Sequence, residues 1–146
     1  MRGIFGFKGI SEQPGGKTVN GNGQQSLAGR VLYIHPMTQA GARLLASVYR
    51  SVGVEARVLP PSDERTLELG AMHSSGEECF PEKITIGDYL KVTEQDGFDP
   101  SKTAFLMPSS TGPCRFGQYW PLLDTVLAKL GLKDIMIVNP SSENGS

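Results

Sequence analysis

Two cysteines are the residues of this chain best suited to chemistry. Cys79 and Cys114 are the only cysteines among its 146 residues. A pair this small is not the disulfide framework of a secreted protein. They lie 35 residues apart and neither belongs to a C-x-x-C pair, so their spacing alone is a weak metal signal. Two ordinary thiols are therefore the alternative to a pair of metal ligands.

The residues around each cysteine favour a chemical role. Cys79 and Cys114 both stand in turns just before predicted helices, where free backbone N–H groups and the helix dipole favour a thiolate. Arg115 follows Cys114 directly and could offset the negative charge of a metal centre held by the thiols. Ser110 and Gly112, in the same loop, are candidates to bind a cofactor or an anion through hydrogen bonds. Ordinary turn formation is the alternative for this loop.

Both histidines are weaker candidates. His35 follows the first predicted strand and could act as a ligand or proton donor, although a hydrogen-bonded histidine at a strand end is the favoured interpretation. His73 lies six residues before Cys79 and is expected in a solvated loop. Tyr119 and Trp120 are expected to pack at the start of the last helix.

The elements that position these residues alternate between strand and helix. Apolar, β-favouring runs predict strands at 31–34, 103–107 and 134–138, and an alternating pattern predicts one at 54–59. Helical spacing predicts helices at 38–52, 62–69, from 81 to about 92, and 118–131. Strands that are apolar along their length and separated by helices imply a parallel sheet covered on both faces. We therefore predict a small doubly wound α/β domain of about four strands. Ligands of such open sheets bind beyond the carboxyl ends of the strands, where both cysteine loops are expected.

Individual residues mark the helices. Thr38 is a predicted N-cap and Gly53 a predicted C-terminal glycine of the first helix. Leu44, Leu45, Val48 and Val52 fall on one face of that helix, which predicts an amphipathic helix. Pro81 can begin the third helix, and Pro121 is tolerable only in the first turn of the fourth. The expected buried side chains of these two helices are Ile84, Tyr89, Leu90, Val92, Leu122, Leu123, Val126, Leu127 and Leu130.

The first 29 residues differ in composition from the rest. They hold eight of the eighteen glycines and show neither strand nor helix periodicity, which predicts a flexible arm (1–29) before a domain at 30–146. Gly16, Lys17 and Thr18 resemble the end of a phosphate-binding loop, but Ser11 stands where its first glycine belongs.

Charge and hydropathy exclude several classes of partner. The formal charge of −1 shows none of the excess of basic residues that is typical of proteins that bind nucleic acid independently of sequence. No apolar run approaches the roughly 18 to 20 residues that span a bilayer. The first residues lack the apolar stretch of a secretory signal. We therefore expect a cytoplasmic protein with neither nucleic-acid nor membrane partners.

Both cysteine segments resemble a known family. Residues 75–83 (SGEECFPEK) followed by 87–90 (GDYL) are similar to a stretch in activase-related proteins of the 2-hydroxyacyl-CoA dehydratase and benzoyl-CoA reductase superfamily. Met107 and Pro108 followed by 112–119 (GPCRFGQY) match the same proteins at the expected later position. The resemblance covers about residues 30–146. It implies a flavodoxin-like sub-domain whose cysteines hold a low-potential iron–sulfur cluster that serves ATP-driven, one-electron reduction of CoA thioesters.

The sequence also departs from that family. Family members usually continue further and contain at least one more cysteine, and true activases have an ATP-binding domain that this sequence lacks. The resemblance therefore implies that Cys79 and Cys114 supply two ligands of a [4Fe–4S]-type cluster, which generally needs three or four. Another subunit or a second copy of this chain would supply the rest, and catalysis by this chain alone is not expected. Two alternatives stay open: a non-redox assembly module that docks on a partner protein, and a flavodoxin-like domain that binds flavin or a nucleotide at residues 109–112.

Overall fold

The computed structural model describes residues 26–141. Their core is one parallel sheet of four strands with the order β2-β1-β3-β4. The strands are β1 (Val31–Ile34), β2 (Glu55–Val58), β3 (Thr103–Leu106) and β4 (Met136–Val138), and the helices are α1 (Gln39–Ser51), α2 (Glu64–Met72), α3 (Phe80–Thr93) and α4 (Tyr119–Lys129). Most of the predicted arm, residues 1–25, and the segment 142–146 lie outside the described residues.

This arrangement confirms the prediction of a small flavodoxin-like α/β domain. The strand order corresponds to the first four strands of the flavodoxin-like order. The chain runs from β1 to β2 on one side and later to β3 on the other side of β1. The carboxyl end of β1 is therefore the topological switch point, where ligands of doubly wound sheets collect. All four residues of β3 are buried, as a central strand covered on both faces requires.

The two faces of the sheet are covered unequally. Buried side chains from α2, α3 and α4 form one core cluster with Phe105 of β3. On the opposite face, α1 alone among the helices of residues 26–141 contributes to the cluster around Leu32 and Leu106. As predicted, Pro121 lies in the first turn of α4.

Helix α1 forms as predicted, but its apolar stripe is not its buried side. Ala42 and Ala46 contact the sheet, whereas Leu44, Leu45, Val48 and Val52 are exposed. Small side chains at the contact let the helix lie close to the strands. Hydrophobic periodicity predicted correctly that these four apolar residues share one face, but that face points away from the sheet.

The N-cap of α1 gives a first testable prediction. Thr38 has extended backbone angles, and its Oγ1 accepts a hydrogen bond from the backbone N–H of Gly41 at 3.2 Å. We expect Thr38→Ala to lower the free energy of unfolding by about 1 kcal/mol, because that N–H loses its partner. Urea unfolding measures it, with Ser47→Ala in the exposed helix interior as the control, expected within about 0.5 kcal/mol of wild type. Equal stability of the Thr38→Ala variant and wild type would contradict the cap.

Helices α2 and α3 cross at two glycines. A Cβ atom on Gly87 would lie 1.9 Å from the carbonyl oxygen of Thr66, and one on Gly70 would lie 2.2 Å from the carbonyl oxygen of Lys83. The backbones are thus in direct contact, a closeness that only glycine permits. At the start of α2, Asp63 and Thr66 form a reciprocal capping box. The two helices therefore form a tightly packed pair. Cys79 lies at the start of α3, the second helix of this pair.

Arg30 ties the amino ends of three strands together. Its Nη1 donates to the carbonyl oxygens of Thr103 at 3.0 Å and of Asp134 at 2.9 Å, which lie at the starts of β3 and β4. Leu27, inside the predicted arm, packs against the α1-side cluster, so the packed part of the chain begins earlier than residue 30. Among residues 26–141, no helix is long and apolar enough to span a membrane.

Candidate functional site

Cys79 is placed by the start of α3. It is the N-cap residue, with extended backbone angles and no side-chain capping bond, so its thiol is not used to close the helix. The side chain is partly buried, and Sγ lies 3.2 Å from the hydroxyl oxygen of Tyr119. Pro81 stands in the first helical turn, as predicted. The backbone N–H groups of Glu82 and Lys83 donate to the Cys79 carbonyl, so the helix start holds the thiol at the positive end of the helix dipole.

Cys114 occupies the matching position before α4. It precedes the short 3₁₀ helix Arg115–Gln118, which runs directly into α4, and its side chain is exposed. Like Cys79, it makes no capping bond with its side chain. Gly117 allows the loop to fold back here, since a Cβ atom on it would lie 2.8 Å from the carbonyl oxygen of Ser110.

The hydroxyl of Tyr119 contacts the Cys79 thiol. Burial raises the pKa of Tyr119, and the hydrogen bond with Cys79 and the nearby Cys79, Glu82 and Cys114 side chains raise this pKa further. Both cysteines are therefore close enough to one buried hydroxyl to affect its ionisation, although 35 residues separate them in the chain. Tyr119 was expected only to pack at the helix start. It does so, edge to face with Phe116 at 5.2 Å between ring centroids, and it also contacts the Cys79 thiol.

Carboxylates surround the region where the Cys79 and Cys114 turns meet, which we call the corner. Hydrogen bonds from Ser75 and Gly76 lower the pKa of Glu78 to about 2, so it is ionised at neutral pH. Glu82 is buried, and its Oε2 lies 4.0 Å from the sulfur of Cys79. Burial raises the pKa of Glu82, and the charge of Glu78 adds to that effect. The corner is thus rich in negative charge, which Arg115 only partly balances.

Arg115 points to the α3 side of the corner. Its Nη1 donates to the backbone carbonyl of Glu77, which ties the Cys114 turn to the loop before Cys79. A groove of about 390 Å³ opens there, lined among others by Glu77, Glu82, Arg115 and Gln118. Arg115 is therefore a bridge between the two cysteine turns.

Ser110 and Gly112 lie in a neighbouring groove. Pairing of β3 with β4 continues beyond the strands, since Ser109 N–H donates to Pro140 O at 3.0 Å, and the loop leaves the sheet after that point. The resulting groove of about 340 Å³ is lined by hydroxyl groups, Cys114 and the Trp120 indole. Gly112 has φ +132°, a conformation that favours glycine. The structure thus brings Ser110, Gly112 and Cys114 together and places Arg115 in the adjacent groove.

A buried polar network lies at the switch point. Asp88 of α3 is fully buried, and its carboxylate accepts hydrogen bonds from His35 at 3.0 Å, Ser62 at 2.8 Å and Thr66 at 2.8 Å. Burial alone would raise the pKa of Asp88, but these hydrogen bonds together outweigh it and lower the pKa. His35 is thus a hydrogen-bonded strand-end histidine, as favoured, although its Nδ1 is buried without a partner.

Sequence reasoning missed Asp88 and Glu82 as buried acids. A usable signal was present for Asp88, because it lies four residues after Ile84 and four before Val92, both of which were expected on the buried side of the helix. Charged residues on such a side are almost always paired. His73 caps the carboxyl end of α2 through its backbone and is half-buried.

Within the described part of the chain, no group of three or more His, Cys, Asp or Glu side chains is arranged to hold a metal ion. Comparison of the chain with protein-family models, curated proteins and solved structures finds no match.

Proposed function

We propose that this chain supplies Cys79 and Cys114 as two thiolate ligands of an iron–sulfur cluster of the [4Fe–4S] type. The observation that carries the proposal is that Cys79 and Cys114 each stand at a helix start without a side-chain capping bond, in two turns that the Arg115 guanidinium joins through the Glu77 carbonyl. In accord with the resemblance of its cysteine segments, the assembly would be a low-potential electron-transfer or reductase complex related to 2-hydroxyacyl-CoA dehydratases. The cluster would carry single electrons in that assembly.

The residues present fit half of such a site. Cys79 and Cys114 both precede helices, and neither sulfur is used to cap its helix. Two thiolates are fewer than the three or four that a cluster generally needs. A second polypeptide or a second copy of this chain would complete the set, and the exposed Cys114 side chain is open to such a partner.

The charges around the thiols suit a low reduction potential. An added electron is disfavoured beside fixed negative charge, and net charge and hydrogen bonds to sulfur both set the potential of a cluster. Glu78 is ionised at neutral pH and adds negative charge, whereas Arg115 adds positive charge. The Tyr119 hydroxyl is placed to donate a hydrogen bond to sulfur at Cys79.

Anaerobic reconstitution tests the proposal. We expect the chain, supplied with ferric iron, sulfide and a small thiol that reduces part of the iron and takes the place of the missing ligands, to gain broad visible absorbance and an electron paramagnetic resonance signal after one-electron reduction. Cys79→Ser and Cys114→Ser should each lose most of the bound iron and sulfide, because a half site with one thiolate holds a cluster poorly. Ser101→Ala, just before β3 at the amino ends of the strands, is the control and should bind like wild type.

Two results would overturn the assignment. One is a wild-type sample that stays colourless under these conditions and also with an added second subunit. The other is a double cysteine variant that retains the cluster signal.

A second candidate rests on the groove around residues 109–112. Its hydroxyl groups lie beyond the carboxyl ends of β3 and β4, where open α/β sheets bind ligands. It would take a phosphate-bearing ligand such as a flavin nucleotide. Visible flavin absorbance in the purified protein, lost in Ser110→Ala, would favour this candidate over the cluster.

A further inference from the structure

Strand β4 leaves one edge of the sheet open. Residues along a strand alternate in the side to which their backbone N–H and C=O groups point. The carbonyl groups of Val138 and Pro140 accept hydrogen bonds from the β3 side, so these two residues face inward. Ile137 and Asn139 therefore face outward, and no group of residues 26–141 bonds to their backbone N–H or C=O. An unpaired row of this kind is a template for another strand.

The opposite edge of the sheet, at β2, is closed. Ala56 faces away from β1, and its carbonyl oxygen accepts a hydrogen bond from Arg50 Nη1 at 2.9 Å. Glu55 and Arg57 form an exposed ion pair on the same strand. Charged side chains are a usual protection of edge strands. By contrast, β4 carries no charged side chain. The edge at which the sheet can be extended is therefore that of β4.

The carboxyl end of β4 leads to Cys114. Ser141, three residues after β4, lines the same groove of about 340 Å³ as Cys114. In the flavodoxin-like order, a fifth strand stands beside the fourth and runs parallel to it. A strand added to β4 in that direction ends at the same end of the sheet, so the residues that follow it arrive beside this groove. That is where ligands are missing from the proposed cluster site.

Neither this chain nor a second copy of it supplies such a strand with a thiol. Segments 1–25 and 142–146 contain no cysteine. Two copies that pair through β4 about a two-fold axis run antiparallel, which puts their Cys114 turns at opposite ends of the joint sheet. Pairing β4 of one copy with β2 of another meets the carbonyl group that Arg50 already binds. The occupant that fits is therefore a different polypeptide.

We propose that the β4 edge binds an extended segment of a different protein, which adds a parallel fifth strand and carries a cysteine directly after it. Hydrogen bonds to the outward backbone groups of Ile137 and Asn139 give affinity, and β-branched or aromatic side chains of the added strand pack beside Ile137 and Val138. The role of that cysteine as a missing cluster ligand rests on the proposed function. Docking of the strand does not, because it uses only the edge.

Synthetic peptides test docking and direction in protein that holds no iron. Each contains the same strand of about eight residues of alternating valine and threonine. One carries a pyridyl-disulfide cysteine after the strand, and the other carries it before. The Cys114 sulfur attacks the peptide sulfur, so a mixed disulfide forms while the old S–S bond breaks and 2-thiopyridone leaves. In a Cys79→Ser background, we expect the first peptide to label Cys114 about tenfold faster than the second, because docking raises its local concentration.

Backbone changes locate the docking. Ile137→Pro removes the outward N–H and leaves the inward groups of β4 in place, so it should reduce labelling by the first peptide to the rate of the second. Val58→Pro is the matched control, because Val58 presents its N–H outward at the β2 edge, and it should label like the parent protein. N-methylation of alternate peptide amides should act like Ile137→Pro on the parent protein, which separates docking from the folding of a variant.

Three results would overturn docking at β4. They are equal labelling by the two peptides, labelling that N-methylation leaves unchanged, and equal loss in Ile137→Pro and Val58→Pro. Faster labelling by the second peptide would overturn the parallel direction.

Reconstitution of the wild-type chain then tests the ligand role. Plain cysteine and serine versions of the first peptide are compared, and the cysteine version should raise bound iron and sulfide about twofold, since the site gains a third thiolate. Equal cluster content with both versions overturns the ligand role. A chain that stays colourless with both overturns the cluster and with it the ligand role, while the docking result stands.

Discussion

Gly87→Ala is expected to destabilise the protein by about 3 kcal/mol or more, or to prevent folding. A Cβ atom at this position would lie 1.9 Å from the backbone oxygen of Thr66 and 3.0 Å from the backbone nitrogen of Gly70. Backbone atoms of a packed helix cannot rotate away as a side chain can, so α2 and α3 must separate. Overpacking of a close contact usually costs about 1 to 3 kcal/mol, and this contact is closer than usual. The higher helix propensity of alanine stabilises the variant by only about 1 kcal/mol, which does not offset the clash.

Urea or thermal unfolding measures the effect of Gly87→Ala. Gly41→Ala is the matched control, because the new Cβ there meets only the side-chain oxygen of Thr38, at 2.6 Å. Loss of that N-cap bond and gain of helix propensity are similar in size, so this control should remain within about 1 kcal/mol of wild type. A Gly87→Ala protein as stable as the control would show that α2 and α3 are further apart than described.

Asp88→Asn is the second change with a large expected effect. At neutral pH it should lower the free energy of unfolding by about 3 kcal/mol. Both oxygens of the carboxylate accept hydrogen bonds, from His35, Ser62 and Thr66, whereas an amide accepts only at its oxygen. The NH₂ group of the asparagine would therefore be buried against a donor. Asp96→Asn, at an exposed position, is the control and should cost less than about 0.5 kcal/mol.

The effect of Asp88→Asn should depend on pH. The folded-state pKa of Asp88 is lowered, so its carboxylate contributes stability that is present above the unfolded pKa of about 3.9 and is lost as pH falls through the folded value. The stability difference between wild type and variant should therefore be constant near neutral pH and shrink below about pH 4. A difference that grows as the pH falls through this range would contradict the ionised carboxylate.

The same change reports on the candidate site. Asp88 joins α3 to the carboxyl end of β1 through His35 and to the start of α2 through Ser62 and Thr66. Cys79 stands at the other end of α3. In a Cys114→Ser background, Asp88→Asn should therefore speed labelling of Cys79 by a thiol reagent, because the helix pair that holds this thiol loosens.

Local patterns were enough to predict most of the fold. Three of the strands are short apolar runs, β2 alternates, and each strand is followed within two residues by proline or asparagine. Thr38 and Gly53 (φ +87°) mark the ends of α1 as expected. What could not be predicted was which side of α1 is buried. The stripe has the stronger hydrophobic pattern, yet the sheet takes Ala42 and Ala46, because their small side chains allow close packing.

The residues of the candidate site could be predicted from the sequence, but not which of them contact one another. The sequence pointed to Cys79, Cys114 and Arg115 from their types and turns. It could not predict that Tyr119 contacts one thiol and is affected by the other, since that depends on how α3 and α4 meet. The Asp88 network was missed for the same reason. Its partners come from three separate segments that only the folded sheet brings together.

The position of Arg30 has a consequence for the order in which the protein assembles. Two of the carbonyl groups that it binds belong to Thr103 and Asp134, which are 73 and 104 residues later in the chain. At synthesis rates of about 5 to 20 residues per second, these acceptors emerge roughly 4 to 20 seconds after Arg30. Until then β1 can pair only with β2, which follows it closely. The unit from β1 to β2 can therefore form early on the ribosome, while the other edge of β1 stays unpaired until β3 has been made.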